Sequence, residues 1–160
     1  MKKVFLFFVF ISELVFSQTK GINIDSSQNI NEEKIFTIVE EMPQFSGGDA
    51  QMFKYISSTI QYPQNAKEMG IQGKVFVSFT IDTTGEIKDI ELIKGVSILK
   101  DTLEANKNNL NKIALFRKAI DEMNEQALSV VRNMPKWNPG KQNGKAVKVR
   151  YTLPISFNLQ

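Results

Sequence analysis

Cysteine and histidine are both absent from this chain of 160 residues. Without cysteine there is no disulfide framework, no thiolate zinc site and no thiol nucleophile. Without histidine, the commonest general base and the commonest metal ligand at neutral pH are gone. An excess of one charge is lacking too. The chain has 20 basic and 17 acidic residues, a net charge of +3, where a dedicated nucleic-acid or anionic-membrane binder shows a pronounced basic patch. What is present is ordinary globular material. The chain is 42% hydrophobic and 23% charged, with twelve Phe, which suits one domain around a single core.

The N-terminus reads MKKVFLFFVFISELVFSQ. Lys2 and Lys3 form a positive start, Val4 to Ile11 is an unbroken apolar run, and Val15 and Ser17 are small enough to flank a cleavage site before Gln18. A membrane-spanning helix needs ~20 apolar residues, and Glu13 interrupts this run. Residues 1–17 therefore read as a cleavable signal peptide, with a retained inner-membrane anchor as the alternative. No Cys follows the apolar run, which excludes a lipoprotein anchor. Cleavage removes Lys2, Lys3 and Glu13, so 20 basic and 17 acidic residues become 18 and 16, a net of +2. Residues 18–33, polar and rich in Asn and Ser, read as a flexible leader. Residues 34–160 form the domain.

Within it, KIFTIVE (34–40) has the composition of a short strand. After the loop EMPQFSGGDA, Asp49 is placed to cap a helix over 50–60 with Met52, Phe53, Ile56 and Ile60 on its apolar face. Pro63 suits the start of a second short helix ending at Gly70. GKVFVSFTID alternates strictly, DTTGE is a tight turn with Gly85 in a left-handed conformation, and EIKDIELIKG returns, so the pair reads as an antiparallel hairpin. Residues 96–123 suggest one or two amphipathic helices broken near 106–109. Asn124 is a candidate N-cap for a further helix carrying Ala127, Leu128, Val131 and Met134, ended by Pro135. Pro139–Gly140 suits a type II turn and Asn143–Gly144 a tight reversal. From Val147 to Leu159 the odd positions are apolar and the even ones polar except Pro154, so one face meets the core. Pro154 has no N–H and is confined to an edge strand or bulge, which assigns this strand, or its second half, to a sheet edge.

Catalytic candidates are few. Asp82, Glu86 and Asp89 cluster near the hairpin turn and read as a solvated turn rather than a carboxylate site. DTTGE lacks calcium-loop spacing, and Gly70–Gly73 leads into a strand, whereas phosphate loops open a helix. Lys141, Lys145, Lys148 and Arg150 with Tyr151 and Trp137 could form a nucleic-acid stripe. However, Tyr151 alternates to the face opposite Lys148 and Arg150, and basic residues on an edge strand guard against aggregation. Trp137 reads as a core residue beside a turn. These residues point away from an enzyme and from any cofactor or metal.

YPQNAKEMGIQGKVFVSFTIDTTGEI and NEQALSVVRNMPKWNPGKQNGKAVKVRYTLPISFNL together resemble the TonB C-terminal domain family. The shared features run in order: Tyr-Pro, Gly-x-x-Gly before an alternating strand, Asp-x-x-Gly, Met-Pro-Lys-Trp, Pro-Gly, Gly-Lys-x-Val and a terminal Leu-Pro-Ile-x-Phe. MPQFSGGDAQMFKYI resembles the lead-in of the Bacteroidetes branch. The resemblance covers roughly 41–95 and 124–159, leaving 96–123 as a helical insertion that could cover or reshape the docking surface. It implies an α+β fold, a small antiparallel sheet of about three strands with helices packed on one face.

It also implies a periplasmic interaction domain in TonB-dependent transmembrane transport. Such a domain binds a TonB-box-like peptide of an outer-membrane receptor by strand addition, with no nucleic-acid or small-molecule partner. The positions that match the family's docking segments are Gln61, Tyr62 and Pro63, and Val147, Lys148, Val149, Arg150, Tyr151, Thr152 and Leu153. The alternative is a self-associating or accessory module, a homodimer by strand exchange without energy transduction. The signal peptide and the lack of a Pro-rich linker set this chain apart from TonB proper, and imply binding without force transmission.

Overall fold

The computed structural model describes residues 34–97 and 100–159. The expected signal peptide and leader lie outside these residues. The fold is α+β. Strand β1 is Ile35–Phe36, helix α1 Gly48–Thr59, α2 Gln64–Glu68, strand β2 Gly73–Ile81 and β3 Ile87–Lys94. Helices α3 (Lys100–Ala105) and α4 (Leu110–Arg132) follow, then the two-residue strands β4 (Lys141–Gln142) and β5 (Lys145–Ala146), and finally β6 (Lys148–Phe157).

The alternating runs form the expected ladders. β2 pairs antiparallel with β3 and, from Gly73↔Phe157 to Ile81↔Val149, antiparallel with β6. Cross-strand partners share a face. Val75, Val77, Phe79 and Ile81 of β2 and Val149, Leu153, Ile155 and Phe157 of β6 are all buried on the inner one. Helix α4 adds a stripe at three- and four-residue steps, Ile120, Met123, Ala127, Val130 and Val131. Among the described residues the main sheet has four strands in the order β1-β6-β2-β3, one more than expected, because the short strand at 35–36 joins it parallel to β6 at Ile35↔Lys148 and Phe36↔Val149.

Several local expectations change. The break near 106–109 is present, but α4 then runs unbroken through Asn124. Its cap is Asn109, whose side chain accepts from Lys112 N at 2.9 Å. Asn124 instead turns its carboxamide outward to accept from Val96 N at 3.0 Å, tying the end of β3 to the helix. Helix α1 begins after Gly47 with no side-chain cap, and Asp49 falls in its first turn. Gly140 is absent from the positive-φ residues, so Pro139–Gly140 is not a type II turn. Glycine is required there by crowding: a Cβ would stand 2.7 Å from Val149 Cγ2 and 3.0 Å from Pro43 Cδ. Asn143 and Gly144 both have positive φ, as a tight hairpin turn demands.

The hairpin turn between β2 and β3 is a docking joint. Asp82 Oδ1 accepts from Thr84 N (2.8 Å), Thr84 Oγ1 (2.7 Å) and Glu86 N (3.0 Å). Gly85 has φ +85°, and a Cβ on it would collide with the Trp137 carbonyl oxygen. Trp137 N donates to Gly85 O at 2.9 Å. The Asp-x-x-Gly and Pro-Lys-Trp stretches, joined through Gly85 and Trp137, therefore hold one another. Trp137 is buried as expected, with Tyr151, Phe45 and Phe79 ring centroids at 5.2, 5.6 and 5.7 Å. Its indole nitrogen has no oxygen partner.

Candidate functional site

In a strand, the N–H and C=O of one residue point to the same side, and those of the next to the other. The β2–β6 ladder passes through Phe76↔Pro154 without a register shift. Proline cannot donate, so it is tolerated where its nitrogen faces away from the ladder. This puts the backbone groups of the even residues of β6 on the side away from β2. Arg150, Thr152 and Ser156 then present an N–H and a C=O there, and Pro154 a C=O alone.

That side is covered at its start. Lys148 pairs with β1, Val149 lies between β1 and β2, and Val147 N, just before the strand, donates to Gly140 O at 2.9 Å. The expectation of an edge over 147–149 is corrected by this, because the chain supplies its own neighbour. The parallel bridge Phe36↔Val149 also takes the Arg150 N–H, because Val149 itself faces β2 and the bonds to β1 run from the residues on either side of it. From the Arg150 C=O to Phe157, no strand among the described residues pairs with the outer side. Of the expected positions, Arg150, Tyr151, Thr152 and Leu153 lie on this open run.

Their side chains divide by face. Leu153 is buried and Tyr151 partly so, its ring tilted against Phe79 at 5.8 Å. Burial, and secondarily the Asp49 carboxylate, push the Tyr151 phenol above its usual pKa. Arg150 and Thr152 are exposed on the outer face, where Arg150 Nη1 stands 3.9 Å from Glu91 Oε2 across β2.

The Tyr-Pro segment is split. The Tyr62 hydroxyl donates to Ile71 O, and its ring stands edge-on to Phe157 at 5.7 Å and 89°. This anchors the end of the open run, and burial raises the phenol pKa. Gln61 and Pro63 line a shallow cleft with Glu122, Glu125 and Gln126 of α4. They border the strand only through Tyr62.

The strap before α1 was not legible as part of this site. After β1 the chain bends back. Glu41 and Lys141 exchange backbone hydrogen bonds (3.1 and 2.8 Å), as do Gln44 and Asn138 (3.0 and 2.8 Å). The Glu40 carboxylate accepts from Gln142 Nε2 at 3.0 Å and Asn143 N at 2.9 Å. These contacts hold β1 against β6. An open backbone edge can pair with a strand but cannot by itself activate a nucleophile. Among the described residues, no group of three or more acidic, His or Cys side chains is placed to hold a metal, and no helix is long and apolar enough to cross a membrane.

The family model described as Gram-negative bacterial TonB protein C-terminal matches residues 58–108 and 106–159. The chain is also similar to Protein TonB from two strains of Helicobacter pylori, each 49% identical over 39 residues. That stretch is 24% of this chain and 14% of either relative, so the chain aligns with a small part of their length. Among solved structures it is similar to the NMR solution structures of Helicobacter pylori TonB-CTD. For residues 194–285 the identity is 26%, covering 68% of this chain and 90% of that one, with TM-score 0.38. For residues 179–285 the values are 27%, 69%, 79% and 0.38.

Proposed function

This chain belongs to the TonB C-terminal family, and from that premise we propose that it is a periplasmic interaction domain of TonB-dependent transport. It takes up a TonB-box-like extended peptide of an outer-membrane receptor by strand addition to β6. The observation that carries this reading is the run from the Arg150 C=O to Phe157, paired with β2 on one side and unpaired with any described strand on the other. Unpaired backbone donors and acceptors are a template for another strand, and strand addition takes its affinity from main-chain hydrogen bonds. Arg150, Tyr151, Thr152 and Leu153 form the accessible part of the docking strand. Lys148 and Val149 join it only if β1 leaves, and Val147 only if it also gives up its bond to Gly140 O. Gln61, Tyr62 and Pro63 act at its far end through the Tyr62–Phe157 contact. Export by the signal peptide at residues 1–17 delivers the domain to the periplasm.

Titrating ¹⁵N-labelled protein with an N-terminal receptor peptide tests the proposal. The amides of Thr152 and Ser156 are expected to shift and gain protection from solvent exchange. A peptide that binds elsewhere and leaves these two unchanged rules the reading out.

A further inference from the structure

Asn143 is the only asparagine in the chain that is followed by glycine. The two residues form the turn between β4 and β5, where Gln142 pairs with Lys145. Both are exposed, with φ +50° at Asn143 and +70° at Gly144. In a two-residue turn the ladder bonds belong to the flanking pair, so the Gly144 nitrogen is left out of the ladder. It also stands in open space: a Cβ built on Gly144 would meet nothing within 4 Å. Asparagine is a thermolabile residue, and here its side-chain carbonyl sits beside an uncrowded backbone nitrogen.

We infer that Asn143 is a site of covalent modification by spontaneous deamidation, and that the product loosens the strap holding β1 on β6. The inference is independent of the proposed function. The reaction is intramolecular. The Gly144 nitrogen attacks Cγ of Asn143, a C–N bond forms to close a five-membered succinimide, and the side-chain nitrogen leaves as ammonia, carrying off the proton that the Gly144 nitrogen gives up. Water then opens the ring at one carbonyl or the other. The products are aspartate, or isoaspartate in which the main chain runs through Cγ. One water is taken up and one ammonia is lost, with no change of oxidation state and no co-reactant. The nucleophile and the carbonyl belong to adjacent residues, so the step carries no encounter cost. Ring closure requires the turn to leave its φ > 0 geometry. Such openings are easy at the tip of a hairpin whose strands are two residues each. Asn138 precedes a proline, which has no N–H to give up, and every other asparagine precedes a residue whose side chain crowds the ring.

Glu40 connects this chemistry to β1. Its carboxylate accepts from Asn143 N at 2.9 Å and Gln142 Nε2 at 3.0 Å, and its N–H donates to Gln142 Oε1 at 3.2 Å. Either product puts a new negative charge on the residue whose N–H Glu40 holds, and like charges at that range oppose one another. Isoaspartate also lengthens the turn by one main-chain atom, which breaks its two-residue geometry. Of the flanking cations, Lys141 is already paired with Glu41 at 2.9 Å, and Lys145 is exposed beyond the turn. Glu40 follows closely on Phe36, the end of β1, so release of Glu40 slackens β1 first. The backbone bonds of Glu41 to Lys141 and of Gln44 to Asn138 do not involve the turn, and they keep the rest of the strap in place.

The test has two arms. The full chain and its Asn143→Gln variant are held warm in mildly alkaline buffer and followed by peptide-mapping mass spectrometry. Asn143 is expected to convert before any other asparagine, and Asn143→Gln to block conversion at that position, because glutamine would have to close a larger ring. Asn143→Asp is then compared with wild type by hydrogen exchange. The Arg150 amide, which β1 covers, is expected to exchange about fivefold faster, the effect of losing roughly one hydrogen bond. The Leu153 and Ile155 amides, which face β2, are expected to keep their wild-type rates. Conversion of another asparagine first, or none at Asn143, overturns the modification site. An unchanged rate at Arg150 overturns the link to β1. Equal acceleration at Leu153 and Ile155 overturns that link too, because it shows general destabilisation rather than a slackened strap.

Discussion

The Asp82 carboxylate accepts three hydrogen bonds through one oxygen. Burial pushes its pKa up, but the Thr84 hydroxyl, the Thr84 and Glu86 N–H groups and the Lys88 charge together outweigh burial, and the carboxyl lies below its ordinary value. A folded-state pKa below the unfolded one stabilises the fold above the unfolded value of 3.8, and that contribution is lost as pH falls through the lowered folded value. Asp82→Asn is therefore expected to cost about 1–2 kcal/mol at pH 7. The difference from wild type should shrink in acid, as pH falls through the lowered folded value and the wild-type carboxylate protonates, which urea denaturation at neutral and at acidic pH measures. Gly85→Ala is expected to cost more, about 2–4 kcal/mol, because it combines a left-handed φ with a collision against the Trp137 carbonyl. A fall in thermal midpoint without loss of helical circular dichroism checks it. Residue types and spacing made the turn legible, Gly85 included. They did not reveal that its other half is Trp137, because nothing in a turn names the distant segment that packs on it.

The two outer edges of the β2–β3–β6 sheet are protected differently. β3 carries register shifts against β2, a positive φ at Asp89, and Lys88, Glu91 and Lys94 along its length. Bulges and charges of this kind discourage pairing with another chain. β6 has a regular ladder with β2, and its open side is interrupted only at Pro154. Pro154→Val would return one N–H to that side, at a position with an extended backbone that a β-branched residue favours. It is expected to tighten receptor-peptide binding by about 0.5–1.5 kcal/mol, roughly twofold to thirteenfold, the net worth of one hydrogen bond. Isothermal titration against wild type measures the change, and unchanged affinity would mean that the visiting strand does not reach residue 154. The pattern at 147–159 was enough to place Pro154 on an edge. The helix boundary at Asn124 was misread because a good capping residue can also serve mid-helix when its side chain has a backbone N–H from another element to satisfy.

In the assembled fold, the segment from Ile35 to Gln44 touches the edge of β6 and then doubles back along 138–143. Among the described residues, only β1, two residues long, occupies the docking side of β6. Deleting residues 1–37 leaves the Glu41 and Gln44 bridges in place and removes β1. The domain is expected to remain folded, with the thermal midpoint falling by only a few degrees, consistent with a loss of about 1 kcal/mol. The amides protected by a bound receptor peptide should extend back to Arg150 and Lys148, whose outer side β1 occupies in the full chain. Hydrogen exchange with and without peptide reads this directly, and protection that still begins at Thr152 would show that something other than β1 sets the start of the site.

Local periodicity and turn chemistry determined the hairpin, the short helices around Gln64–Glu68 and Lys100–Ala105, the core-facing residues of β2 and β6 and the edge position of Pro154, because each depends on neighbours within a few residues. The order of motifs along the chain determined the family. Only the tertiary structure decided that β1 covers Lys148 and Val149, that Phe53 is left exposed, and that Gln61 and Pro63 turn toward α4. Those outcomes depend on which distant segments meet. A hydrophobic pattern says that a face must be covered, but the covering partner is chosen by the packing of the whole chain.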